Sequence, residues 1–337
     1  MNRDTTPPTI RGALLVPALI CAVACIVLMR TGFLAFFFLV PLGFCSAAFG
    51  PVAAWCGFVI AALGNALVSA GFSLQSGVGL IPAAWGAAYF AVLALGFTWM
   101  MAGNPRQSVP RIRTMFRFFA AVAAAALTFL VMALALGREE GFTALLHSYV
   151  EGITSLYLAA PGIDAAQQTF LERALTPDRV IEALSSIALR GGMLASLSFL
   201  LFFSRQVSLL LARLLRRQRE TTADLIGFHA PRRAIWALTL CLLAIVAFRA
   251  TSFEIGEIAA WNVLIVCAIM YLAQGGGIVL FTLARRSMPP FVRLGGGIVL
   301  IFLALNPGLY MVALGSLVLL GIAENWLPLR VIKQPAA

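Results

Sequence analysis

Few polar side chains interrupt the apolar runs of this chain: Asn65, Arg205, Arg249, Asn262, Gln274 and the pair Asn306-Pro307. A proline inside a membrane-spanning helix frees a backbone carbonyl, and broken spans of that kind line binding cavities in transporters. Asn306-Pro307 is therefore read either as a cavity wall or as a simple kink, and Pro41 and Pro82 raise the same question. Gly275, Gly276 and Gly277 follow Gln274 and leave a flat notch where a second helix, or a ligand, can reach the backbone. Asn65, Gln274, Gly275, Gly276, Asn306 and Pro307 are the candidate binding residues. The hexapeptide GGGIVL recurs at 295–300, but at the opening of a run rather than in its middle, so the two copies are not equivalent positions.

Bond-making chemistry has no such foothold. The sequence contains no GxxxxGK[ST], so it does not bind ATP by a P-loop, and no HExxH or GxSxG. Its two histidines, His147 and His229, sit in or beside polar stretches, and no apolar run holds an acidic pair of the kind that drives proton pumping. Cys21, Cys25, Cys45, Cys56, Cys241 and Cys267 all lie in apolar runs without a CxxC pair, as small packing residues do. The expectation is a protein that is not an enzyme and has no metal and no cofactor.

The elements that would position these residues follow from composition. Of 337 residues, 61% are hydrophobic and 11% charged, whereas soluble domains are usually about 25% charged. The apolar residues form runs long enough to cross about 30 Å of hydrocarbon as helix, without the alternation of a transmembrane β-barrel. The fold class is all-α: a polytopic transmembrane helix bundle of eight or nine spans. Nine runs are expected at 12–29, 33–50, 52–71, 78–102, 116–137, 191–212, 234–250, 259–283 and 294–320. Gly50-Pro51 separates the second from the third, because proline disfavours helix at the residue before it. The N-terminal run reads as an uncleaved first span rather than a signal peptide.

The net charge of +11 is almost entirely arginine in short connections, which fits membrane orientation rather than nucleic-acid binding. Arg106, Arg111, Arg113 and Arg117 follow the fourth run. Arg213, Arg216, Arg217, Arg219, Arg232 and Arg233 follow the sixth, and Arg285, Arg286 and Arg293 follow the eighth. All fall on one side, and that side is cytoplasmic, as is the N-terminus. The acids Glu139, Glu151, Asp164, Glu182, Glu254 and Glu257 collect on the other. Arg205 either snorkels to the inner interface or faces protein. Arg249 is placed to pair with Glu254 or Glu257.

Three regions result: an N-terminal bundle of about five spans (1–137), an amphipathic extracytoplasmic segment (138–190) and a C-terminal bundle of about four (191–337). In the middle region, Thr176-Pro177-Asp178 reads as a helix start, with Thr176 as N-cap and Pro177 at the first helical position. The segment upstream of it, FTALLHSYVEGITSLYLAA, reads as a helix lying along the outer interface or folded over a cavity mouth.

YLAQGGGIVLFTLARRSMPPFVRL and LLGIAENWLPLR resemble the C-terminal half of the YybS-like family of bacterial multi-pass membrane proteins, to which no activity is assigned. The matching features are Tyr271-Leu272, Gln274-Gly275, a basic turn with Pro289, then Gly321, Trp326 and Arg330, with Glu324 standing for an acid that the family usually carries. A proline usual before the sixth span is replaced here by Arg190-Gly191-Gly192. The N-terminal half, through FLVPLGF and the glycine-broken hairpin after it, looks like the substrate-binding subunits of energy-coupling-factor vitamin transporters. The resemblance implies a bacterial cytoplasmic (inner) membrane location.

Two functions compete. One is a small-molecule binding or transport subunit that relies on a separate ATPase, with a cytoplasmic or membrane partner protein docked at the arginine-rich loops. The other is a membrane scaffold for envelope or regulatory partners, with Arg205, Arg213, Arg216, Arg217, Arg285 and Arg286 serving topology and anionic lipid.

Overall fold

The computed structural model describes residues 10–76, 79–102, 111–158, 175–216, 226–284, 307–327 and 329–330. Among them every regular element is helical. Among the described residues five helices are long and apolar enough to cross a membrane, and their outward faces are as greasy as their cores: Leu67 is 75% exposed, on α3, and Leu127 63%, on α5. Such helices, apolar all round, belong in lipid. The protein is an all-α membrane bundle. By its internal contacts it divides into two units, residues 1–218 and 219–337.

The first unit contains α1 (Ile10–Arg30), α2 (Val40–Phe49), α3 (Pro51–Ser76), α4 (Leu80–Met101), α5 (Arg111–Leu136), α6 (Glu140–Leu158), α7 (Pro177–Ile187) and α8 (Met193–Arg216). Its core is built from Ala22, Cys25, Leu39, Phe90, Phe97 and Val122, with Leu197 and Leu201 contributed by α8. Small residues at the helix contacts let backbones approach, and dispersion between them replaces the hydrophobic effect that lipid cannot supply.

The expected second span, 33–50, is one apolar helical run, Leu34–Phe49, but it is short and not α throughout. A six-residue 3-10 turn, Gly32–Phe37, precedes the ten-residue α2, which at 1.5 Å per residue is only about 15 Å long. Aromatic packing holds the tight turn: Phe36 and Phe37 lie 5.2 and 5.7 Å from Phe203 of α8, ring centre to ring centre. The chain still makes a full return here. Gly57 faces Ala18, Gly64 faces Ile26, and Ser69 meets Arg30, so α1 and α3 run parallel and the segment between them must carry the chain back. Pro41 and Pro82 break nothing. Pro41 is the second residue of α2 and Pro82 the third of α4, in first turns where the missing N–H would have had no helical partner anyway. The break at Gly50-Pro51 stands as read, with Gly50 at φ 94° and Pro51 opening α3.

Thr176 has the extended backbone of an N-cap (ψ 141°), although its side chain makes no capping hydrogen bond, and Pro177 and Asp178 open α7. α6 and α7 touch, and His147 lies 3.7 Å from Asp178 at their exposed surface. Arg190-Gly191-Gly192 marks a sharp bend between α7 and α8. Gly191 adopts φ 98°, which a side chain would oppose, and this lets the chain leave the amphipathic α7 and enter the apolar α8. At the junction of α4 and α5, the Arg117 guanidinium covers the Trp99 ring at 5.6 Å, a pairing suited to the polar edge of a bilayer.

The second unit contains α9 (Ala234–Ala250), α10 (Glu254–Ala284) and α11 (Pro307–Ala323), with α10 packed against both of the others. α10 and α11 are antiparallel and cross with their backbones in contact. A Cβ on Gly275 would fall 1.9 Å from the Leu317 carbonyl oxygen, and one on Gly321 would fall 2.1 Å from that of Tyr271. No other residue fits at either place, which makes the notch read from the sequence a helix crossing.

Candidate ligand-binding site

Asn65, Ser69 and Ser73 recur at four-residue intervals along α3 and so share one of its faces. Arg30, the last residue of α1, reaches this face. Its Nη2 donates to Asn65 Oδ1 at 3.3 Å and to Ser69 Oγ at 2.5 Å. Ser73 Oγ donates to the Gly79 carbonyl at 3.0 Å and ties the end of α3 to the start of α4. With Met29, Phe72 and Pro82 these residues line a cavity of about 270 Å³, near the lower edge of the roughly 300–1,000 Å³ usual for small-molecule sites. Asn65 is 2% exposed. Its carbonyl oxygen is occupied by Arg30, while its amide nitrogen has no protein partner among the described residues. This amide nitrogen faces the cavity that Asn65 helps to line.

Gln274 occupies a different environment. Its Oε1 accepts from the Ala230 N–H at 2.8 Å and its Nε2 donates to Glu324 Oε2 at 2.9 Å. The reversed amide would set N–H against N–H and oxygen against carboxylate, so the orientation follows from the neighbours. Arg330 grips the same carboxylate in two-pronged fashion, Nε to Oε1 at 2.7 Å and Nη2 to Oε2 at 2.5 Å. It also donates to the carbonyls of Ile226, at 2.5 Å, and Phe228, at 2.8 Å. The Glu324 and Arg330 side chains are 5% and 6% exposed. Burial alone would raise the pKa of Glu324, one residue past the end of α11. The hydrogen bonds from Arg330 and Gln274, with the charges of Arg330 and His229, outweigh it and hold the carboxyl below its usual range. This clasp fastens the 226–230 loop, α10 and the chain beyond α11 to one another, and both ends of the Gln274 amide are used in doing so.

The remaining candidates are dispersed. Gly275 is filled by the α11 backbone, and Gly276 beside it is half-buried. Pro307 is the first residue described in α11, while Asn306, Arg217, Arg285 and Arg286 lie outside the described residues. Arg205 and Arg213 are half-buried along α8, and Arg216 is its last residue. Asn262 donates to the Ile258 carbonyl of its own helix at 2.8 Å. Arg30 and the serines were not singled out from the sequence. The four-residue spacing from Asn65 was the available signal for Ser69 and Ser73, whereas nothing local connects Arg30 to a residue 35 positions away.

The family model described as "Predicted membrane protein (DUF2232)" matches residues 23–322. The chain belongs to that family. The matched region of this DUF2232 protein takes in Arg30, Asn65, Ser69 and Gln274 and stops short of Glu324 and Arg330. No curated protein and no solved structure matches the chain, and the expected likeness of its N-terminal half to energy-coupling-factor subunits finds no support there.

Proposed function

We propose that this DUF2232 protein is a YybS-like small-molecule binding subunit of a membrane transport system, set in the bacterial inner membrane with its N-terminus in the cytoplasm. One observation carries the reading: Asn65 is buried in a cavity wall with an amide nitrogen that has no protein partner among the described residues. Membrane proteins tolerate an intramembrane polar group where it faces a partner or a water-filled cavity, and a solute acceptor would complete this one. The cavity lies where the end of α1 and the end of α3 meet the start of α4. That is the opposite end of the unit from Arg117 and Trp99, and hence the extracytoplasmic end under the positive-inside rule. Without a P-loop, transport needs an ATPase from elsewhere, and the arginine-rich cytoplasmic connections are the docking face we assign to it. We read the protein as having no catalytic activity of its own.

Native mass spectrometry of the full-length protein, with thermal-shift titration across vitamins and nucleosides, tests this. A retained small molecule, or a solute-dependent shift that Asn65→Leu abolishes, supports it. A preparation that is always empty and never shifts sinks it and leaves the scaffold reading.

A further inference from the structure

The cavity's polar groups are unbalanced, and the imbalance indicates what would fill it. Asn65 Oδ1 is taken by Arg30, and the Ser73 hydroxyl is spent on the Gly79 carbonyl. Beside the spare lone pairs of these oxygens, what remains is a set of N–H and O–H donors. Asn65 Nδ2 offers two N–H bonds. The Ser69 hydroxyl, having accepted from Arg30, has its own proton to give. Arg30 engages its protein partners through Nη2 alone, leaving Nε and Nη1. Among the described residues no acid lines the cavity, so Arg30 has no carboxylate beside it there. Around these donors lie the apolar surfaces of Met29, Phe72 and Pro82.

We propose that the site between α1, α3 and α4 binds an amphipathic anion, with a carboxylate or phosphate held by Arg30, Asn65 and Ser69 and an apolar portion against Met29, Phe72 and Pro82. This rests on the solute-binding reading and specifies its substrate class. A guanidinium with adjacent N–H and O–H donors matches the several oxygens of such a group, and charge-assisted bonds are about twice as strong as neutral ones. A neutral solute would gain no charge-assisted bond from Arg30, which is otherwise exposed. The anion has two sources, an organic acid from outside the membrane or the headgroup of an anionic lipid, and both present the same chemistry to the site.

The test uses the full-length protein in nanodiscs of phosphatidylcholine. It is titrated with hexanoate and hexyl phosphate, and with hexanamide as the uncharged counterpart. The expected result is binding of the anions and not of the amide, weakened at least tenfold by Arg30→Gln. Asn65→Asp, which keeps the shape but adds a negative charge that pairs with Arg30, should abolish it. Arg249→Gln removes an exposed cation in the other unit and should leave it unchanged. In discs containing phosphatidylglycerol, native mass spectra showing one retained lipid per chain, lost in Arg30→Gln, assign the anion to lipid. Binding of hexanoate in discs without that lipid assigns it to a free acid. Equal binding of hexanamide, or binding that both Arg30→Gln and Asn65→Asp leave intact, overturns the anion inference while the solute-binding reading stands. No binding of either class, with no retained molecule in either disc, overturns both.

Discussion

The two units each bring an arginine to a buried amide, and to opposite effect. In the second unit Arg330, Glu324, Gln274 and three backbone groups of the 226–230 loop satisfy one another: charge meets charge and each amide atom has its complement. In the first, Arg30 meets Asn65 and Ser69 without an acid, and donors are left over. The same residue types thus make a closed structural clasp in one place and an open site in the other. Burial of a polar side chain in a membrane protein therefore does not identify a binding site. What identifies one is a surplus of donors or acceptors beside a cavity.

The comparison can be broken by experiment. Its largest test is Arg330→Met, which leaves the Glu324 carboxylate buried without its counter-charge. Loss of one partner from a buried pair costs about 3–5 kcal/mol, seen as a lowered unfolding midpoint, with anion binding to the first unit unchanged in protein that remains folded. Exchanging Arg330 and Glu324 together for Met and Leu should recover most of that loss. If the double variant is no better than the single one, the clasp is not a pair. Acidification acts on the same bond. The folded carboxyl titrates below its usual value, so its stabilising contribution is fully present above the unfolded pKa of about 4.3. That contribution fades as pH falls from there through the folded pKa. Thermal scans of wild type and of the double variant across that window should converge toward low pH.

Gly275→Ala places a methyl group against the Leu317 carbonyl and forces α10 and α11 apart, at a cost of about 3 kcal/mol, the upper end of ordinary overpacking. Thermal unfolding measures it, and an unchanged midpoint would contradict the backbone contact. Gln274→Leu strands the Ala230 N–H at about 1–3 kcal/mol, again without touching solute binding. The smallest effect is expected of Ser69→Ala in the first unit. It removes one neutral donor, worth about 0.5–1.5 kcal/mol or roughly a two- to tenfold weaker affinity by titration, and leaves stability near wild type. A reversal of these last two, with Gln274 governing binding and Ser69 governing stability, would invert the assignment of the two regions.

The bundle itself was legible along the chain because a membrane helix satisfies its backbone within its own segment. The apolar runs, the Gly50-Pro51 break and the Thr176-Pro177 start therefore report local facts and needed no partner to be read. Asn65 and Gln274 were legible as well, because an amide in an apolar run is costly wherever it sits. Their roles were not. Gln274 is completed by Ala230, 44 residues earlier, and by Glu324, 50 residues later. Asn65 has only Arg30, and which amide was closed and which left open depended on those distant neighbours. Pro41 and Pro82 show the same division from the other side: the residue type marks a break, and its place within the helix decides that there is none. Sequence alone determined an all-α membrane protein and its few costly polar positions, since lipid imposes these on each segment separately. Tertiary structure decided that the second span opens with a 3-10 turn packed on Phe203, that the glycine notch is filled by a helix, and that the unmet donors gather around Arg30. Each of those depends on which surfaces come together.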